Sequence, residues 1–211
     1  MLLEGSRTIL IDPFITDNPV AARSVNELPK LDFIVPTHDH ADHFGPEAIT
    51  LAQRDQAELV AIHEVATRDD VVAAGIKATG MNIGGTYSAG GVDFTMVPAV
   101  HSALHGSPAG FIITMDGLRM YHAGDTAYFT DMALIRDMVG PIDVALLPIG
   151  GHYTMNVKAA AKAAEVVGAK VTIPIHYNTW PLIQADPQEF AEACGHTTNV
   201  VILKPGESHQ S

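Results

Sequence analysis

Cysteine is almost absent from this chain. Cys194 is the only one in 211 residues, so no disulfide can form within the chain, and a reducing, cytoplasmic setting is expected. No run of 18 apolar residues occurs, and Met1-Leu2-Leu3-Glu4-Gly5 lacks the pattern of a signal peptide, so neither a membrane span nor secretion is expected. Basic residues are scarce: 12 Lys and Arg stand against 24 Asp and Glu, a net charge of −12 with histidines neutral. A nucleic-acid binder needs a cationic face, and so does a protein that docks on anionic lipid; both classes are set aside. Charged residues make up 17% and apolar ones 47%, which supplies a core and excludes a disordered chain. The length suits one domain, 1–211.

Short apolar runs alternate with amphipathic segments. Strands are expected at Thr8–Ile11, Phe33–Pro36, Leu59–Ile62, Phe94–Ala99, Gly110–Met115, Leu118–Tyr121, Val144–Pro148, Val171–Ile175 and Val200–Leu203. Several are continuous in Val, Ile and Leu, as in strands covered on both faces. Helices are expected at Pro46–Arg54, Glu64–Ala74, Thr130–Val139, Val157–Val167 and Pro187–Ala193. Asn156 and Asp186 sit where N-caps belong, and Gly168 follows a helix end. Gly84-Gly85 and Gly90-Gly91 read as hairpin punctuation, and Val157, Ala160, Ala161, Ala164 and Val167 as a core-facing stripe. The class is mixed α/β.

What the chain has in abundance is histidine, 11 in all and unevenly placed. Thr37-His38-Asp39-His40-Ala41-Asp42-His43 follows directly on an apolar strand. A loop can fan ligands toward two points: His38 and His40 one way, Asp42 and His43 toward a neighbouring position. Such crowding commonly holds two divalent ions about 3.5–4 Å apart. A ligand set of nitrogen and oxygen without thiolate suits Zn²⁺, with Mn²⁺ or Fe²⁺ as other occupants. His101, Asp125 and His176 each lie just past the carboxyl end of a different strand, as His38 does. Side chains presented together at strand ends are where α/β folds build sites.

The ordered set His38-x-His40-x-Asp42-His43, His101, Asp125 and His176 resembles the metallo-β-lactamase superfamily. Ile11-Asp12-Pro13-Phe14, Pro98-Ala99-Val100-His101, His122–Thr126, Pro148-Ile149-Gly150-Gly151 and Pro174-Ile175-His176-Tyr177 narrow the resemblance to a branch of metal-dependent hydrolases similar to L-ascorbate-6-phosphate lactonase. The resemblance implies a four-layer αβ/βα sandwich with a dinuclear site at one edge. His38, His40 and His101 would hold one metal; Asp42, His43 and His176 the second; Asp125 would bridge. Members of that branch open with a strand carrying Gly-His-Ser, so either the start was assigned late or the fold here lacks that first strand. A sheet edge left open would favour a homo-oligomer.

The activity implied is cleavage of a small ester, lactone or phosphoester by hydroxide held between two metals. Asp42 would orient the nucleophile and accept its proton, and His152 would protonate the leaving group. Asp12 and Thr126 are candidates to fix the imidazoles. Tyr177, Asn178 and Trp180, the last being the only tryptophan, would form part of the pocket wall. His122 reads as a buried support, His105 as a structural loop residue, and His63, His196 and His209 as surface or packing residues. A small-molecule substrate, anionic groups admitted, is the expected partner. A nuclease of the ribonuclease Z type shares these ligands but lacks a counterpart here to the basic arm that guides RNA. A non-catalytic metal-binding scaffold is disfavoured by the full ligand set, and a flavodiiron-type redox role by the Asp42-His43 pair and the lack of a flavin domain.

Overall fold

The computed structural model describes residues 1–210. Twelve strands form two sheets among the described residues. The first comprises β1 (Leu2–Glu4), β2 (Thr8–Ile11), β3 (Phe33–Val35), β4 (Glu58–Ile62) and β5 (Ala78–Met81), in that spatial order. The second comprises β6 (Thr86–Ala89), β7 (Val92–Pro98), β8 (Ala109–Met115), β9 (Leu118–His122), β10 (Val144–Pro148), β11 (Val171–Ile175) and β12 (Asn199–Val200). Its order runs β12-β11-β10-β9-β8-β7-β6. β2 to β5 are mutually parallel, as are β9 to β12, while β6 to β9 form an antiparallel meander.

The layering follows from side-chain alternation along strands. Phe111 and Ile113 of β8 join the core shared with the first sheet, whereas Ile112 between them joins the core under the helices. Phe94 of β7 packs 5.0 Å, centroid to centroid, from Phe33 of β3 and so ties sheet to sheet. Outside the first sheet lie α1 (Pro46–Asp55), α2 (His63–Ala66) and α3 (Asp69–Ala73), which contribute Ala48, Leu51, Val65 and Val71. Outside the second lie α4 (Ile135–Val139), α5 (Val157–Val167) and α6 (Pro187–Cys194). The order helix, sheet, sheet, helix is the expected four-layer sandwich. No helix among the described residues is long and apolar enough to cross a membrane.

Most of the punctuation works as the sequence suggests, but Gly84-Gly85 makes no hairpin: it lies in the link from β5 to β6, which belong to different sheets. The Asn156 side chain accepts the Ala159 N–H at 3.0 Å and Asp186 accepts that of Gln188 at 2.8 Å. Gly90 and Gly91 join β6 to β7 at φ of 60° and 87°, the positive values that a two-residue hairpin requires. Five features differ from expectation. The helix expected over 130–139 opens as a 3-10 turn, Thr130–Leu134, and is α-helical only at Ile135–Val139. The helix expected over 64–74 breaks at Thr67-Arg68, where Thr67 Oγ1 donates back to the His63 carbonyl and Arg68 turns extended. Ala163, not Ala161, completes the buried face of α5. β1, β5 and β6 span only three or four partly exposed residues each, too few for a pattern to announce them. β12 is only Asn199–Val200, two residues rather than the four expected from Val200 to Leu203.

Phe94 is fully buried at the sheet-to-sheet seam. Phe94→Ala is expected to cost about 3–5 kcal/mol through lost burial and the cavity left behind. The check is a fall in the urea midpoint of unfolding.

Candidate metal centre

Five strand ends deliver the site. β2 ends at Asp12, β3 at the 37–43 loop, β7 at His101, β9 at Asp125 and β11 at His176. β7, β9, β10 and β11 run in one direction, so their carboxyl ends meet at one rim of the second sheet. All seven side chains expected to bind metal converge there. Single ligand atoms of His38, His40 and His101 lie within 4.8 Å of one another, as do those of His38, His43 and Asp125, and those of Asp42, His43 and His176.

The distances inside these groups carry chemical information. His43 Nε2 lies 3.5 Å from both Asp42 Oδ2 and Asp125 Oδ1. His176 Nε2 lies 3.3 Å from Asp125 Oδ2 and 3.5 Å from Asp42 Oδ2, and His101 Nε2 lies 3.7 Å from Asp125 Oδ2. These separations bring no hydrogen bond to His43 Nε2 or to either ring nitrogen of His176, although all three atoms are buried. Buried polar atoms left without partners are costly and call for an explanation. Two ligands on one tetrahedral ion, at bond lengths of about 2.0–2.1 Å, stand roughly 3.3 Å apart. The nitrogens and carboxylates are spaced as neighbours around a cation, and the residues present therefore fit a metal.

The loop around Asp12 fixes which nitrogens face inward. The Asp12 carboxylate accepts the Thr37 N–H at 2.7 Å, the Thr37 hydroxyl at 2.9 Å and His43 Nδ1–H at 2.8 Å. Having donated its proton to Asp12, Thr37 Oγ1 accepts from His38 Nδ1, 3.1 Å away. Both rings thus carry their proton on Nδ1 and turn an Nε2 lone pair into the site. Thr37 was not among the sequence candidates; only the fold brings its hydroxyl between Asp12 and His38. Thr126, also proposed to fix an imidazole, instead accepts the Val100 N–H at 3.0 Å and holds the backbone leading into His101.

Electrostatics distinguish the two rings. Burial lowers the pKa of His38 to about 3, and that of His122 to about 4, so both are neutral at pH 7. Burial also acts to lower His43, but the charge and hydrogen bond of Asp12 and the nearby charge of Asp125 outweigh it and raise that ring well above an ordinary histidine. For Asp42 burial works upward, yet His176 and His43 bring its carboxyl down to about 2. Asp125 is likewise held below the usual range against burial, chiefly by His43. The pocket is one that attracts positive charge.

Asp39, inside the motif but never a ligand candidate, faces away and is fully buried. It accepts the Leu104 and His105 N–H groups at 2.8 and 3.2 Å and pairs with His105 Nδ1 at 2.5 Å, so it clamps the loop after His101. His105 is the structural loop residue expected. Arg68 reaches the same carboxylate at 3.6 Å and lies over the Phe44 ring, which accounts for the helix break there. His122 accepts the Gly124 N–H at 3.1 Å, the buried support expected. His63, His196 and His209 are exposed.

His152 stands outside the three ligand groups and is exposed, its ring edge-on to Tyr153. Its loop is nonetheless seated between the Asp125 and His176 turns. Met155 N–H donates to the Thr126 carbonyl at 3.1 Å, and a Cβ at Gly150 would come within 2.5 Å of the His176 carbonyl oxygen. Asn178 does not line a pocket wall: its side chain closes its own loop through Ala185, donating and accepting at 3.0 Å. Trp180 does approach the site, 6.2 Å edge-on from His176 and 6.3 Å from Phe14. Asp12 and His176 both adopt left-handed backbone, at φ of 47° and 54°, which costs non-glycine residues on the order of 1 kcal/mol each.

Residues 7–177 match the family model described as the beta-lactamase superfamily domain. The chain is 48% identical to a protein of Thermococcus kodakarensis named UPF0173 metal-dependent hydrolase, over 98% of this chain and 93% of that one. It is 48% identical to a protein of the same family name from Archaeoglobus fulgidus, covering 99% and 94%. Its fold superposes on the solved structure of Igni18, a metallo hydrolase of Ignicoccus hospitalis, with a TM-score of 0.88 at 39% identity, over 95% of this chain and 89% of that one. With fold, ligand-like cluster and relatives in agreement, the chain belongs to the beta-lactamase superfamily and, within it, to the metal-dependent hydrolases.

Proposed function

We propose that the site holds two divalent cations, with Zn²⁺ best matched to its nitrogen and oxygen donors, and hydrolyses a small ester, lactone or phosphoester. His38, His40 and His101 would hold one cation and Asp42, His43 and His176 the other, with Asp125 between them. The observation that carries this reading is the set of buried, partnerless nitrogens of His43 and His176 facing Asp42 and Asp125 at 3.3–3.5 Å. Cations held there supply Lewis acidity, which brings the pKa of a water from about 15.7 toward 7 and polarises the substrate oxygen.

The chain's own residues do the rest. Asp42, the more exposed of the two carboxylates, would orient the attacking water and take its proton. Asp12 and Thr37 keep the His38 and His43 rings in the tautomer that leaves Nε2 free. His152 sits on the loop seated between the Asp125 and His176 turns and donates a proton to the leaving group. The motif likeness to L-ascorbate-6-phosphate lactonase makes lactones a natural first class to assay. The formal charge of −12 argues against RNA as the phosphodiester substrate.

Protein purified without chelator is expected to contain about two equivalents of metal per chain by elemental analysis. Asp125→Ala should lose at least half of it, and ester turnover should fall at least a hundredfold; full occupancy alongside inactivity of the native protein across esters, lactones and phosphodiesters would favour a metal-binding scaffold. Asp12→Asn, which weakens the hold on His43, should reduce metal affinity about 10–100-fold, measured by competition with a chelator. His152→Gln should retain its metal. Its kcat should fall about 10²-fold or more for alkoxide leaving groups and little for p-nitrophenolate, which needs no proton; equal losses for both would rule out the acid role.

A further inference from the structure

Three of the loops that surround the ligands have an unusual composition. Residues 99–108, 150–156 and 176–185 contain no Asp, Glu, Lys or Arg, although 17% of the chain is charged. They carry large apolar side chains turned to solvent instead: Leu104 is 73% exposed, Leu182 54%, Val100 51% and Tyr153 49%. Each belongs to a loop that bears a candidate ligand or is wedged between two. Val100 and Leu104 flank His101, on a loop pinned by the fully buried Asp39. Tyr153 lies on the loop bonded to Thr126, and Leu182 follows His176. Trp180, half-buried, links this rim to His176 on one side and Phe14 on the other. Scattered exposed leucines need no explanation, but four exposed apolar side chains on three loops that lack Asp, Glu, Lys and Arg, each loop bearing or adjoining a candidate ligand, mark a surface suited to an apolar partner.

We infer that this rim is the substrate's specificity site, and that it takes an uncharged carboxylic ester or lactone with an apolar alkyl or aryl arm of about six carbons, the arm lying on Leu104, Tyr153, Trp180 and Leu182. This rests on the hydrolase reading above and narrows it. A phosphorylated metabolite would find no Lys or Arg on these loops to meet charge beyond the one group at the metals, in a chain whose net charge already repels anions. An apolar arm gains by leaving water at roughly 0.8 kcal/mol per buried CH₂, which becomes about fourfold in affinity for each methylene that lands on the rim.

Two measurements test this, one of them independent of turnover. Trp180 is the only tryptophan, so its fluorescence reports directly on the rim. Titration with N-hexylacetamide, neutral and not cleaved on this timescale, should give a saturable change, at least tenfold tighter than N-methylacetamide and tighter than hexyl phosphate. In parallel, kcat/KM for p-nitrophenyl esters should rise at least tenfold from acetate to hexanoate and exceed that for the hydrogen glutarate ester, which ends in a carboxylate. A double variant, Leu104→Ser with Leu182→Ser, should bring the hexanoate-to-acetate ratio toward one, with metal content and circular dichroism as in the native protein. A flat ester series, or preference for the anionic ester or for hexyl phosphate, would overturn the inference. So would a rim found by sedimentation to be buried between two copies of the chain and released in the double variant. Chain-length-dependent binding at Trp180 without hydrolysis of any ester would uphold the apolar rim while removing the hydrolase reading beneath it.

Discussion

Packing five imidazoles and two carboxylates into one largely buried corner is the constraint around which the molecule is arranged. Each group leaves water when the fold closes, and His43 Nε2 and both His176 nitrogens receive no hydrogen bond in exchange. Burial alone would push the carboxylates toward their neutral forms and keep the rings uncharged. Instead Asp42 is held at about 2 and His43 is drawn strongly toward its cation, because opposite charges stand within 3.5 Å. A cluster that pulls one of its own imidazoles toward protonation is a cluster short of positive charge. The parallel portions of two mixed sheets make the arrangement affordable in conformational terms, since rigid strands, not loops alone, aim the side chains.

Support for the ligands is built in layers. Asp12 reaches across from the first sheet and, with Thr37, sets the tautomers of His38 and His43. Thr126 secures the approach to His101, and His122 the turn that carries Asp125. Asp39 faces the other way and anchors the 104–105 backbone. One seven-residue loop, 37–43, thus serves the site on one face and holds a neighbouring loop on the other. Its alternation of histidine and aspartate reflects both duties.

Much of this was legible in the sequence, for physical reasons. Continuous Val, Ile and Leu runs announce strands covered on both faces, and β2, β10 and β11 fall where expected, residue for residue. The candidate ligands could be picked out because each follows such a run, and a polar residue at the end of a buried strand has few structural reasons to be histidine. What escaped was whatever depends on long-range neighbours. Thr37 and Asp39 look like ordinary loop residues until Asp12 and the 104–105 amides are brought against them. β5 and β6 contain Gly80, Thr86 and Ser88, weakly apolar residues that become strands only because the sheets offer free edges. The break at Thr67-Arg68 is set by a guanidinium partner on another loop.

Gly150 sits so close to the His176 carbonyl oxygen that no side chain fits at that position. The seat of the 150–156 loop is therefore interlocked with the turn that carries a candidate ligand, and mutation cannot shift one without disturbing the other. Beyond that seat, Tyr153 at the exposed tip is free of such constraint. A lineage of this architecture can diversify what it recognises by exchanging tip residues while the inner frame stays invariant, which separates innovation from foldability within a single short stretch of chain.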